Sequence, residues 1–277
     1  MTSLTAFNRF TSELGQSDTV MPVLFIGHGS PMNGIEDNEF NRGWKKMAEE
    51  IPVPAAVLVV SAHCLSKGTM ITAMDLPKTI HDFGGFPAEL YNVRYNAPGS
   101  PLLAKETASI IVSTKVEEDH DWGLDHGAWT VVRHMYPDAN ISVLQLSIDY
   151  TKPPQYHFDL AGELYALRKK GVLIIGSGNM VHNLRMIAWD KMNVPGFGYD
   201  WALKMNDTFK NLIQDGEMSK LIHYERLGRE ANLAIPTPEH YLPLLYTLGA
   251  KGTRDKIAFF NDKAVAGSLT MTSVKIG

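Results

Sequence analysis

The chain of 277 residues holds a single cysteine, Cys64. No intramolecular disulfide can form, which favours a reducing compartment and makes the cytoplasm the expected location. No apolar run approaches the roughly 20 residues of a membrane span. There is no long basic run either, and the net charge is −4, so neither nucleic acid nor an anionic membrane is an expected partner. The compact metal signatures are absent as well: no His-Glu-x-x-His, no paired Cys-x-x-Cys, no EF-hand loop. Any metal site must therefore be assembled from distant segments. Residues 1–20 lack an apolar core segment and carry one arginine with two acids. They resemble neither a secretory signal nor a transit peptide, and are expected to form a loosely ordered extension before a single domain over 21–277.

What the chain does have is an ordinary globular composition, 44% apolar and 20% charged, long enough to bury a core without a staple. Short Val/Ile/Leu runs at 22–26, 55–60, 141–148 and 172–175 read as strands buried on both faces. Between them, helical periodicity covers about 39–50, 101–113, 156–170, 199–215 and 238–248, with Ser100 and Thr237 as N-caps before Pro101 and Pro238. The stretch 268–276 alternates with period two and predicts a late strand with one solvated face. Strands alternating with helices predict an α/β domain, a mostly parallel central sheet flanked by helices with some antiparallel strands near the C-terminus. The Gly/Pro-rich stretches at 81–87 and 194–198 mark loops rather than linkers, and no internal repeat is present.

Two of the apolar runs lead into a histidine. Residues 22–26 run into Gly27-His28-Gly29-Ser30-Pro31, and 55–60 into Ser61-Ala62-His63. Ligands of open α/β sheets bind beyond the carboxyl ends of the strands, and neutral imidazole is the commonest metal ligand. The pair therefore predicts a metal centre. His182 repeats the pattern, since 172–175 leads through Gly176-Ser177-Gly178-Asn179 towards it and on into an expected helix. A phosphate cradle at this Gly-x-Gly turn is disfavoured, because the third glycine and the Lys-Ser/Thr of the phosphate-binding fingerprints are absent. His240 sits in Pro236-Thr237-Pro238-Glu239-His240; adjacent helix positions point about 100° apart, so either His240 or Glu239 faces the site. His126 is a candidate for a supporting or substrate contact, and His81 belongs to the glycine-rich loop. His120, His134, His157 and His223 read as structural residues in polar or helix-surface contexts. Cys64 reads as a small apolar filler rather than a thiolate ligand.

Taken together, Gly27–Met32, Ser61–His63, Ile80–Pro87, Asp125–Trp129, Gly178–Leu184 and Pro236–Leu245 resemble, in order, the motifs of the class III extradiol ring-cleavage dioxygenases, specifically the 4,5-DOPA dioxygenase family. The resemblance runs from about residue 21 to the C-terminus. It implies an α/β fold with a divalent metal at the carboxyl edge of the sheet, held by His28, His63 and His240. It places at His182 a fourth histidine, either a ligand of a resting zinc site or an acid/base beside iron, and at His126 a histidine near the substrate. Two departures stand out. Cys64 occupies a position where the family commonly has Trp, and more distant relatives use a glutamate as third ligand, which leaves Glu239 as the runner-up to His240.

The implied reaction inserts both atoms of O₂ into a catechol ring beside the diol and yields a ring-opened semialdehyde. Three ligands on one face of an octahedron leave room for a bidentate catechol and for O₂, as at non-haem Fe(II), whereas Zn(II) has no redox chemistry. His182 is the candidate acid/base and His126 a hydrogen-bonding contact. The loop 81–87 is expected to act as a lid, with Phe83 and Phe86 packing against an aromatic ring. Two other functions share these ligands: a zinc hydrolase attacking with bound water, and a non-enzymatic metal-containing binding protein. The identity of the catechol, the native metal and the oligomeric state are not expressed in the sequence.

Overall fold

The computed structural model describes residues 20–192 and 194–277, so the expected N-terminal extension lies outside the described residues except for Val20. Six strands form the central sheet: β1 (Val23–Gly27), β2 (Ala56–Ser61), β3 (Ser142–Gln145), β4 (Val172–Gly178), β5 (Ile257–Phe260) and β6 (Ser273–Ile276). Their order is β3-β2-β4-β1-β6-β5. The first four run parallel, and β6 and β5 add antiparallel to β1 and to each other. This is the expected mostly parallel sheet with antiparallel strands near the C-terminus.

Side chains alternate across a strand, and both sets are buried. Val23, Phe25, Leu58, Val60, Val172 and Ile174 face one core, which includes residues of α2 (Pro101–Ile110), α4 (Pro154–Glu163), α5 (Asp200–Asp215) and α6 (Leu242–Gly249). Leu24, Ile26, Val57, Val59, Leu173 and Ile175 face the other, under α1 (Glu39–Glu50) and α3 (His126–Met135). The result is a three-layer α/β/α sandwich whose central strands read as unbroken apolar runs. Among the described residues no helix is long and apolar enough to cross a membrane.

Local chemistry fixes the helix starts. Asn38 caps α1 and forms a reciprocal box with Asn41. Ser100 accepts from the Leu103 amide ahead of Pro101, as read from the sequence, and Asp125 caps α3 through the Ala128 amide. Other expectations need correction. The periodic stretch 156–170 divides into α4 and a short turn of helix at Tyr165–Arg168. Helix α6 begins only at Leu242, with Pro243 in its first turn; Thr237 does not cap it, and its hydroxyl instead donates to Glu239 Oε1 at 2.6 Å. The run 141–148 is broken between β3 and Ile148–Asp149, which pairs with Leu65–Ser66.

The alternating stretch 268–276 also departs from its pattern. It splits into Leu269–Thr270 and β6, and its polar side chains face protein instead of water. Ser273 Oγ accepts from the Gly27 amide at 3.0 Å, and Thr272 is buried with Asn206 and Asp262 at 2.7 and 2.8 Å. Period two registers which side chains carry polar groups; here those groups found internal partners.

Arg168 is fully buried where this layer meets the start of β1. It donates to the carbonyls of Met21 and Ala250, both at 2.7 Å, and to Asp255 Oδ2 at 2.6 Å. Substituting Arg168→Met keeps much of the volume but leaves Asp255 and two carbonyls short of a donor. The expected loss is about 3–5 kcal/mol, read from urea unfolding; a loss under about 1 kcal/mol would show that these groups rehydrate without cost.

Candidate metal centre

Registry brings the strand ends together. Gly27 pairs with Gly178, and Ser61 with Ser177, so β1, β4 and β2 end at one level on the carboxyl edge. The amides of His28 and Ala62 continue the ladder onto the carbonyls of Gly178 and Ser177 at 3.1 and 2.9 Å. His28 and His63 therefore emerge beside one another, with ring centroids 5.1 Å apart. The segment before α6 is laid against the same edge: the Asn179 amide donates to the His240 carbonyl at 2.9 Å. That approach requires Gly178, because a Cβ there would stand 2.1 Å from the His240 carbonyl oxygen. His240 is delivered to within 5.4 Å of His28 and 5.0 Å of His63, centroid to centroid.

His126 enters from the N-terminus of α3, 3.9 Å from the His63 ring. Gly127 permits it, since a Cβ at that position would lie 2.4 Å from Ser61 Oγ. His182 completes the cluster by stacking face to face on His240, at 3.6 Å and an interplanar angle of 7°. It is reached not through a helix but through a bridge to Leu269, followed by a 3-10 turn at Leu184–Met186. Five histidines read as site residues thus share one locus. His28, His63 and His126 are the tightest set, each offering one ring nitrogen within 4.8 Å of the others. Glu239 stands behind His240, with Oε1 3.5 Å from Nδ1, and is outside that set.

A hydrogen bond fixes which ring nitrogen of His28 faces inward. The single proton of the Ser177 hydroxyl goes to the Gly127 carbonyl at 2.5 Å. Ser177 Oγ can then only accept from His28 Nδ1, 3.0 Å away, so His28 carries its proton on Nδ1 and bares Nε2. His63 Nδ1 lies 3.4 Å from Asp82 Oδ2, which favours the same tautomer. The two Nε2 atoms face each other at 3.2 Å. With His63 in that tautomer two lone pairs meet, and they repel unless a cation lies between them. For metal–nitrogen bonds of about 2.1 Å, neighbouring ligand nitrogens fall roughly 3.0–3.4 Å apart. His240 Nδ1 is buried without a hydrogen bond. The donor set fits a divalent metal.

The electrostatics agree. Burial, reinforced by the adjoining imidazoles, holds His28 and His240 well below the ordinary histidine range. Burial and His126 push His63 down to about 3 against the opposing pull of Asp82. His182 is pushed down to about 4, mainly by burial, with Glu239 opposing. These four present neutral imidazoles, the form that ligates metal. Burial would raise Asp82, but its bonds to His126 outweigh that and hold it below the usual carboxylate range. Asp125 is raised, by burial and then by Asp82, against a 2.6 Å bond from Ser61.

Several supporting residues escape the sequence reading. Ser177 and Ser61 carried a faint signal, as hydroxyls at the ends of otherwise apolar strands. Asp82 was visible only as part of a loop. His157, read as surface or polar, is fully buried with Nδ1 3.0 Å from the Tyr246 hydroxyl, so it is structural but internal. Cys64 is buried, and burial together with Asp125 raises its thiol, in keeping with a filler.

Residues 22–274 match the family described as the catalytic LigB subunit of aromatic ring-opening dioxygenase. A 4,5-DOPA dioxygenase extradiol of Escherichia coli (strain K12) is 48% identical over 94% of this chain and 96% of its own length. One from Beta vulgaris is 34% identical over 95% and 98%. The crystal structure of an uncharacterized protein from Escherichia coli K12 superposes with a TM-score of 0.80 at 42% identity, covering 93% of this chain and all of that one. A single α/β domain with imidazoles gathered at its carboxyl edge, matched over nearly its whole length, belongs to the LigB family of aromatic ring-opening dioxygenases and is a class III extradiol enzyme.

Proposed function

We propose that this protein holds a divalent metal on His28, His63 and His240 and cleaves the ring of a catechol beside its diol, consuming O₂ and releasing a semialdehyde. The relatives named 4,5-DOPA dioxygenase extradiol suggest a DOPA-like substrate. The observation that carries this reading is the approach of the His28 and His63 Nε2 atoms to 3.2 Å, with the His28 nitrogen bared by Ser177. The His240 ring, 5.4 and 5.0 Å from those of His28 and His63, supports His240 as the third ligand. When bound, Fe(II) supplies the electron path between catecholate and O₂ that Zn(II) lacks.

The remaining work falls to the side chains. His182 is neutral at physiological pH, having been pushed down to about 4, and is only half-buried. Its ring is thus free of a second proton, and we assign it the proton released by the diol on binding and returned later. His126 supplies a hydrogen bond to the substrate. Phe83 lies edge-on to His126 at 5.7 Å and against Phe86 at 5.4 Å. The loop 81–87 thereby sets an aromatic wall beside the imidazoles, suited to covering a flat ring and excluding water.

The direct test is anaerobic reconstitution with Fe(II), followed by O₂ and a panel of catechols including DOPA and protocatechuate. A yellow ring-opened product with matching O₂ uptake is expected. Absence of uptake with every catechol would overturn the reaction, and hydrolysis of esters with zinc alone would favour a hydrolase.

Elemental analysis checks the ligands. His28→Ala, His63→Ala and His240→Ala should each lose stoichiometric metal, while His126→Ala keeps it; the reverse result for the last two would move the third ligand to His126. His182→Ala should retain metal yet lose about 100-fold or more in turnover, and equal loss of both would assign it a ligating role.

The depressed histidines also set an acid limit. Unfolded, each titrates near about 6.5; folded, His63 and His182 lie at about 3 and 4, and His157, lowered by burial, at about 4. Between these values the unfolded chain binds more protons. The metal-free fold should therefore lose stability as pH drops from about 6.5 towards 4 and be insensitive to these groups above about 6.5. Urea midpoints of metal-free protein on either side of that boundary measure this, and equal midpoints would contradict it.

A further inference from the structure

The loop 81–87 contributes more than a wall. Asp82 Oδ1 accepts the backbone amide of His126 at 2.9 Å, and Oδ2 faces the same residue's Nδ1 at 2.8 Å. The second oxygen also lies 3.4 Å from His63 Nδ1. One carboxylate from the loop thus grips His126 by both backbone and ring, and its side chain is only 13% exposed. A carboxylate only accepts, so His126 Nδ1 must carry a proton, and in the neutral ring Nε2 is then the acceptor. Asp125 caps α3 through the Ala128 amide, and Asp82 adds the His126 amide at the same helix start; its second oxygen has no helix amide to serve. Asp82 is directed at the imidazole.

We infer that Asp82 is a positioning residue: from the loop, it locks His126 in the Nδ1–H tautomer, so that Nε2 accepts a hydrogen bond from the substrate hydroxyl instead of donating one to oxygen. This rests on the dioxygenase reading and makes the contact of His126 specific. Phe83, the next residue, packs edge-on to the same ring. Placing the aromatic wall and orienting the acceptor therefore become one event, governed by the position of one loop. The tip of the loop is free of packing, because Gly84 and Gly85 are exposed with nothing within 4 Å of where a Cβ would sit.

The test is Asp82→Asn in the zinc-loaded, diamagnetic protein, with ring ¹⁵N shifts as readout and the His126 signal assigned by its loss in His126→Gln. Asparagine supplies one acceptor where two are used, so its amide N–H meets the ring and drives His126 towards the Nε2–H tautomer. The wild type should show a protonated Nδ1 and bare Nε2, and the variant a shifted or mixed tautomer. With Fe(II) at wild-type stoichiometry, kcat/KM of Asp82→Asn should fall by about 10–100-fold. In a His126→Gln background the same change should cost less than about 3-fold. An unchanged tautomer in Asp82→Asn overturns the inference. So does an undiminished cost in the His126→Gln background, which would mean that Asp82 acts through the fold; thermal unfolding of each variant checks that it is folded. The NMR result stands without turnover, so failure of the dioxygenase reading and failure of this inference are told apart.

Discussion

The hydroxyl of Ser177 has one proton, and the carbonyl of Gly127 receives it. From that allocation the character of the centre follows. Ser177 Oγ is left as an acceptor for His28, and the inner nitrogen of His28 is stripped of its proton. A strand end, a helix start and a proposed ligand are tied through one small side chain. The site is thereby arranged before anything binds, which is the condition under which a few polar groups in a buried pocket exert their largest effect. A similar division holds one step outward. Asp125 is bonded to Ser61 and the first turn of α3, and Asp82 is left to the imidazole at the head of that helix.

Much of the architecture was legible in the sequence because hydrophobic burial in a parallel sheet leaves continuous apolar runs. The apolar runs at 22–26, 55–60 and 172–175 declared both the conformation and the buried state of β1, β2 and β4. His28 and His63 were legible for the same reason, since each follows such a run with no intervening segment. What the sequence did not express was partner choice. The alternation at 268–276 looked like one wet face, and only tertiary packing supplied Asn206 and Asp262 as replacements for water. The start of α6 was misplaced because Thr237 found a side-chain acceptor in place of a helix amide. Asp82 was hidden among loop residues, its role depending on a helix more than forty positions further on.

The cluster shows how polar groups are concentrated without compromising the core. Two apolar layers hold the sheet, and the polar network is confined to the edge where the strands run out. Nearly all the imidazoles there are neutral by environment, so no uncompensated charge is buried when the metal is absent. The carboxylates beside the cluster come from outside the ring set, from Asp82 on a loop and Glu239 before a helix, where both keep some exposure to water.

The proposed ligands are spread from position 28 to position 240, and none has a second ligand within a turn of chain. An unfolded polypeptide with that spacing must close two long loops before the ligands meet, an entropic cost that the finished fold has already met. The fold must therefore be completed on its own resources, and occupancy is decided afterwards by whichever ion is abundant and fits. Coordination then stabilises the native state by mass action alone. Catalytic competence would thus be conferred on a finished molecule by its surroundings, so one polypeptide can exist as an active or a silent enzyme according to metal supply.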